Sequence, residues 1–243
     1  MRVAWLTALG VGGATMVGAV LGFVFRRTAE RFGGLLMSFA SGVMLAAAVL
    51  GLILPALEQG GTYGTVVVVA GILTGALGLQ LLRRLLPGMQ KLAGIQAESG
   101  TQAERVLLFT AAIALHNLPE GLAAGVGFGT GSVADALMIA GGIALQNFPE
   151  GMVLIGPLQA AGVSPGRTLL IALATGAVEI VGTLLGYFAV QAASALMPFA
   201  LAFAGGTMLY VISDEMIPEI HTEGGQGASF TLLLGFCLML VMR

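Results

Sequence analysis

The chain has 243 residues, 57% of them hydrophobic and 9% charged, with a formal net charge of -2 at pH 7 and a mean hydropathy of +0.98. Soluble domains carry about 25% charged residues, so this sequence has too little polar surface to coat a globule in water, and its solvent is lipid. The lack of a basic, aromatic-interleaved patch excludes nucleic-acid binding, and a single cysteine, Cys237, excludes an intrachain disulfide or a thiolate metal cluster.

A helix needs roughly 20 apolar residues to cross about 30 Å of hydrocarbon. In chain order such runs fall at 3–25, 34–57, 64–86, 105–128, 132–156, 167–191, 195–219 and 227–243. The expected fold is all-α: a polytopic membrane protein forming one eight-transmembrane helix bundle. Only Arg2 precedes the first run and no small-residue cleavage pattern follows it, so it reads as a span and not as a removed signal. Residues 87–104 are polar and free of histidine and are expected to form the one long loop. Glycines four apart, as at Gly71/Gly75 and Gly121/Gly125, predict close helix–helix approach. Cys237, inside the last run, reads as a small core side chain.

With eight crossings, Arg26, Arg27, Arg31, Arg83, Arg84, Lys91, Arg105 and Arg167 all fall on one side, against Arg2 and Arg243 on the other. Basic residues concentrate in cytoplasmic loops. The expectation is therefore an inner-membrane protein with a cytoplasmic loop at 87–104 and both termini outside, on the periplasmic face.

Two related polar hexapeptides interrupt the fourth and fifth runs: His116-Asn117-Leu118-Pro119-Glu120-Gly121 and Gln146-Asn147-Phe148-Pro149-Glu150-Gly151. An ionised carboxylate at the bilayer centre costs roughly 2.5–3.5 kcal/mol on insertion scales, so packing does not explain it. At about 100° per residue, with His116 at zero, Asn117 projects at about 100° and Glu120 at about 40°, between the other two. One carboxylate can thus serve a ligand set on either side, bridging two metals or relaying one between two positions. Gln146, Asn147 and Glu150 repeat the arrangement on the next, antiparallel helix. Pro119 and Pro149 lack an N–H and clash with the carbonyl four residues back. The carbonyls of Leu115 and Leu145 are therefore expected to be freed beside the site, where broken backbone is tolerated if it lines a cavity.

Glu179 is the only carboxylate in the sixth run, twelve residues beyond Arg167 and hence about 18 Å into the bilayer. It is expected to face Asn117, Glu120, Asn147 and Glu150 as a further ligand. Carboxylates, amides and one imidazole suit a hard-to-borderline divalent cation such as zinc, iron, manganese or cadmium, and not copper(I). At the cytoplasmic end of the seventh run, Glu215, Glu219, His221 and Glu223 read first as a solvated helix end. The second reading is that they catch a metal leaving the pore. Glu58, on the outer side, is in the same way either solvated surface or a gatherer of cations.

The two hexapeptides, the Glu179 segment and the stretch AFAGGTMLYVISDEMIPEIHTEG in the seventh run resemble the ZIP (Zrt/Irt-like) metal transporters, especially the bacterial branch, over nearly the whole chain. The resemblance implies a binuclear site between helices four, five and six. One metal would take His116, Glu120, Gln146 and Glu150, and the second Asn117, Glu120, Asn147, Glu150 and Glu179. Gln146 stands where many members have His, and the histidine cluster often found in the long loop is absent. The expected function is movement of a divalent metal substrate, zinc first and iron, manganese or cadmium otherwise, into the cytoplasm, with no prosthetic group and no enzymatic reaction. The expected partners are the metal ions, the lipid bilayer and, as an option, a second copy of the chain. The alternative of an intramembrane metalloenzyme such as a protease is disfavoured, because the HExxH arrangement needs Glu where Asn117 stands and a second His four residues on. A structural protein with a metal staple explains neither freed carbonyls nor ligands on a third helix. No G-x-x-x-x-G-K-[ST] motif occurs, so ATP is not the driver.

Overall fold

The structure is a computed structural model that describes residues 1–92, 114, 117–160, 162–192, 194–223 and 225–242; among these, every regular element is helical. Helix α1 spans Arg2–Val24, and after Phe25 the chain turns into α2, Arg26–Gln59. Helix α3 is Gly64–Leu92, and α4 covers residues 117–126. Helix α5 is Val133–Val153, followed beyond Leu154 by the short helix Ile155–Ala160. Helices α6, Pro165–Ala192, α7, Met197–Thr222, and α8, Ala228–Met242, complete the order. Among the described residues α1, α2, α3, α5, α6 and α7 are long and apolar enough to cross a membrane, and α8 is a shorter apolar helix. The first part of the expected fourth span lies outside the described residues.

Two expected boundaries move. Helix α2 begins at Arg26, eight residues ahead of the apolar run that starts at 34, because Arg26 and Glu30 pair across its first turn at 2.7 Å and water can serve the exposed backbone there. Helix α3 likewise continues through residues 87–92, which were expected to be loop; apolar length marks the bilayer and not the end of the helix. The rest of that loop lies outside the described residues.

Two helices widen into π turns, at Ala47–Ile53 in α2 and Ile212–Met216 in α7. Each widening ends two residues before a proline, Pro55 or Pro218. A proline offers no N–H to the carbonyl four residues back and crowds it, and a wider turn relieves the clash.

Glycines decide which helices touch. A methyl group added at Gly18 would meet the backbone of Phe148, and one at Gly22 the backbone of Met152, so α1 and α5 advance together and are parallel. In the same way Gly121 and Gly125 of α4 abut Glu179 and Thr183 of α6, and Gly71 and Gly75 of α3 abut Ala202 and Phe203 of α7. Gly42 of α2 abuts Leu232 of α8, and Gly227, just before α8, abuts Leu35. Each parallel pair joins helices an even number of places apart, as results when every helix reverses the direction of the one before. Outward, Trp5, Leu9, Leu73, Leu77, Phe230 and Leu234 form an exposed apolar belt. Cys237 belongs to that belt and not to the core as expected: it follows Phe236 on the face of α8 turned away from Gly235, which packs on Phe39.

Candidate metal centre

Helix α4 carries Asn117 and Glu120, α5 carries Gln146, Asn147 and Glu150, and α6 carries Glu179. All are buried: Glu150 retains 5% of its surface and the other five 0%. The turn that brings α5 beside α4 is made by Gly127–Thr130 and by Gly131, whose φ of 86° is open to glycine. Ser132 then caps α5 by accepting from the Asp135 N–H at 3.3 Å. The Cα of Gly121 leaves room for the backbone of Glu179, which sets the carboxyl of Glu179 against the residues of α4.

The side chains form one hydrogen-bonded cluster. Glu179 Oε1 accepts from Asn117 Nδ2 at 2.6 Å and from Thr15 Oγ1 at 2.5 Å. Glu179 Oε2 accepts from Asn147 Nδ2. Asn147 Nδ2 also donates to the carbonyl of Val11 at 3.2 Å, and Gln146 Nε2 donates to Asn147 Oδ1 at 2.6 Å. Gln146 hydrogen-bonds Glu120 as well, and Glu120 lies within electrostatic reach of both Glu150 and Glu179. Carboxylates and amides therefore alternate. No three His, Cys, Asp or Glu side chains among the described residues form a closed ligand group by themselves.

Two buried oxygens, Asn117 Oδ1 and Gln146 Oε1, have no hydrogen-bond partner among the described residues. An unsatisfied buried acceptor costs about 1–3 kcal/mol, and a carbonyl oxygen in that position is a ready ligand for a hard cation. Both oxygens belong to residues that the sequence pattern singled out. His116 and Leu115 lie outside the described residues. Pro149 sits inside α5, which breaks at Leu154 five residues further on.

The sequence reading missed α1. Thr15 is 1% exposed, and with the Val11 carbonyl it supplies a fourth side to the cluster. The available signal was that Thr7 and Thr15 are the only hydroxyl residues in an otherwise apolar helix.

Glu58, Glu215 and His221 stand apart from the cluster. Glu215 and Asp214 both pair with Arg83 of α3, Asp214 at 2.7 Å. His221 is exposed, and its Nδ1 lies 2.8 Å from the Ile217 carbonyl of its own helix. Glu219 and Glu223 belong to the helix Ile217–Glu223. Glu58 is exposed and lines a cavity of about 150 Å³ with Thr130 and Asp135. A second cavity, of about 240 Å³, is lined by Arg26, Glu30, Met152 and Pro157 at the opposite end of α5.

A helical bundle with an apolar outer belt and a buried cluster of carboxylates and amides defines a polytopic membrane protein with a polar centre. Residues 89–243 match the ZIP zinc transporter family. The chain is 45% identical over 198 residues to the zinc transporter GufA of Myxococcus xanthus, covering 79% of this chain and 78% of that protein. It is 36% identical over 236 residues to the zinc transporter ZIPB of Bordetella bronchiseptica, covering 94% and 76%. It is 31% identical over 253 residues to the zinc transporter ZupT of an Enterobacter species, covering 98% and 95%. The chain belongs to the ZIP family, and nothing in the family or the site favours the metalloenzyme alternative.

Proposed function

We propose that this protein moves divalent transition-metal ions, zinc foremost, into the cytoplasm through the centre enclosed by α4, α5 and α6. The observation that carries this reading is the pair of buried amide oxygens, Asn117 Oδ1 and Gln146 Oε1, that have no hydrogen-bond partner among the described residues and are set among three buried carboxylates. A dication offsets the carboxylate charge and occupies the amide oxygens at once. His116, Glu120, Gln146 and Glu150 hold one metal; Asn117, Glu120, Asn147, Glu150 and Glu179 hold the other. Because Glu120 and Glu150 serve both, a metal can change position while keeping two carboxylates. Iron, manganese and cadmium share the oxygen-rich chemistry of the site and are secondary substrates.

The direction of travel follows from orientation. The arginine excess supports an orientation in which the end with the Arg26/Glu30 cavity and the Arg83 ion pairs faces the cytoplasm and the end with the Glu58/Asp135 cavity faces outward. The test is uptake by purified protein in liposomes holding a metal-sensitive dye. Glu120→Ala and Glu150→Ala each reduce uptake to the level of empty liposomes, whereas His116→Ala weakens it. Wild-type rates in both glutamate variants would overturn the site.

A further inference from the structure

We infer that the α1 turn from Val11 to Thr15 is a working wall of the metal centre, with Thr15 the positioning residue for Glu179. The inference deepens the reading above and rests on it, since it takes Glu179 to face the transported ion.

Hydroxyls in apolar helices usually turn back to a carbonyl of their own helix. Ser38, Ser41, Thr175, Thr183, Thr207 and Thr231 all do so here, at 2.6 to 2.9 Å. Thr15 does not. Its Oγ1 crosses to α6 and donates to Glu179 Oε1 at 2.5 Å. The carbonyl it forgoes, four residues back, is that of Val11. A carbonyl oxygen has two lone pairs; one serves the helix, and the other is thereby left for Asn147 Nδ2, which donates to it at 3.2 Å. A single turn of α1 thus fixes one ligand on α5 and one on α6, in opposite senses: it donates to the carboxylate and accepts from the amide.

Close packing keeps the turn in place. A methyl group at Gly12 would strike the carbonyl of Gly176 on α6, and one at Gly151 would strike the carbonyl of Thr15 itself. The bond from Thr15 occupies one lone pair of Glu179 Oε1 and leaves the rotation of that carboxylate little freedom. A hydrogen bond to a charged group is roughly twice as strong as a neutral one, so its loss is read directly in how well Glu179 presents its one remaining lone pair, on Oε2.

The experiment compares Thr15→Val, which keeps the volume and removes the hydroxyl, with Thr15→Ser, which keeps the hydroxyl. Zinc uptake into dye-loaded liposomes is followed over a range of external zinc, beside wild type and Glu120→Ala. The midpoint of thermal unfolding is measured with and without zinc. The expected result is a roughly tenfold higher KM for Thr15→Val, as one charge-assisted hydrogen bond implies, and a smaller zinc-induced shift in the unfolding midpoint. Its zinc-free midpoint falls by no more than the loss of one buried hydrogen bond implies, and Thr15→Ser behaves like wild type in every measurement. Wild-type KM and zinc-induced shift in Thr15→Val would overturn the inference, as would equal damage in Thr15→Ser, which assigns Thr15 to packing. Glu120→Ala separates the two levels: if it fails to transport while Thr15→Val is normal, the metal centre stands and the α1 wall does not. If Glu120→Ala and Glu150→Ala both transport normally, the reading beneath both fails.

Discussion

Gln146 combines two roles at one position: its Nε2 holds the Asn147 amide at 2.6 Å, and its Oε1 is buried without a partner among the described residues. An amide oxygen suits harder ions, whereas imidazole suits zinc, iron and nickel. Replacing Gln146 by His keeps one N–H for Asn147 and turns the other ring nitrogen to the metal. With His116, Glu120 and Glu150 it offers two imidazoles and two carboxylates, near the four-coordinate set that zinc accepts. Gln146→His is expected to raise preference for zinc over manganese and to leave transport intact, as measured by competition of zinc, manganese and cadmium for uptake. An unchanged order would mean that Gln146 does not touch the ion. Gln146, Asn147, Asn117 and the glutamates were legible in the sequence because polar groups in a long apolar run stand out. Thr15 was not, because one threonine is ordinary in a membrane helix and only the fold shows that its hydroxyl leaves α1.

Among the helices, the contact of α4 with α6 is the one on which the cluster most depends. Gly121 meets the backbone of Glu179, and Gly125 that of Thr183. Gly121→Ala therefore forces the two helices apart at the level of the buried polar cluster. Overpacking of this kind costs typically 1–3 kcal/mol, so the variant is expected to unfold at lower temperature and to lose metal uptake even though no ligand is altered. A normal unfolding midpoint together with normal uptake would show that the seam yields without cost. The sequence announced this seam and the Gly71/Gly75 seam through their spacing, but not their partners. Gly18 and Gly22 have the same spacing and build the α1–α5 seam, so spacing identifies a contact surface and leaves its occupant open. The π turns had a visible cause in Pro55 and Pro218, yet whether a proline kinks, ends or widens a helix depends on what packs around it.

Across the whole molecule, hydropathy gave the order of the helices well and their lateral arrangement hardly at all. Lipid and a neighbouring helix are equally apolar surroundings, so the pattern of Leu, Val and Ala does not separate the exposed belt of α3 from the buried face of α1. The ion pairs of Arg83 with Asp214 and Glu215 tie α3 to α7 on one side of the bundle, which the positions of these charges at the ends of their apolar runs allow. The proposed orientation is checked by placing single cysteines in a Cys237→Ser background. Glu58→Cys is expected to react with a membrane-impermeant thiol reagent on intact cells, and Thr28→Cys only after permeabilisation. The reverse pattern would invert the protein and the direction of transport with it.

The uneven surroundings of the glycines bear on how this protein can be stabilised for purification. Gly12, Gly18, Gly22, Gly121 and Gly151 are spacers between backbones, but Gly10 and Gly13, on the same α1, have nothing within 4 Å of an added methyl group. Alanine is favoured over glycine in a helix interior by about 1 kcal/mol. Gly10→Ala and Gly13→Ala are expected to raise the unfolding midpoint in detergent while leaving uptake unchanged. A generic rule that replaces helical glycine by alanine would improve α1 at these two positions and wreck it at Gly12, one residue away.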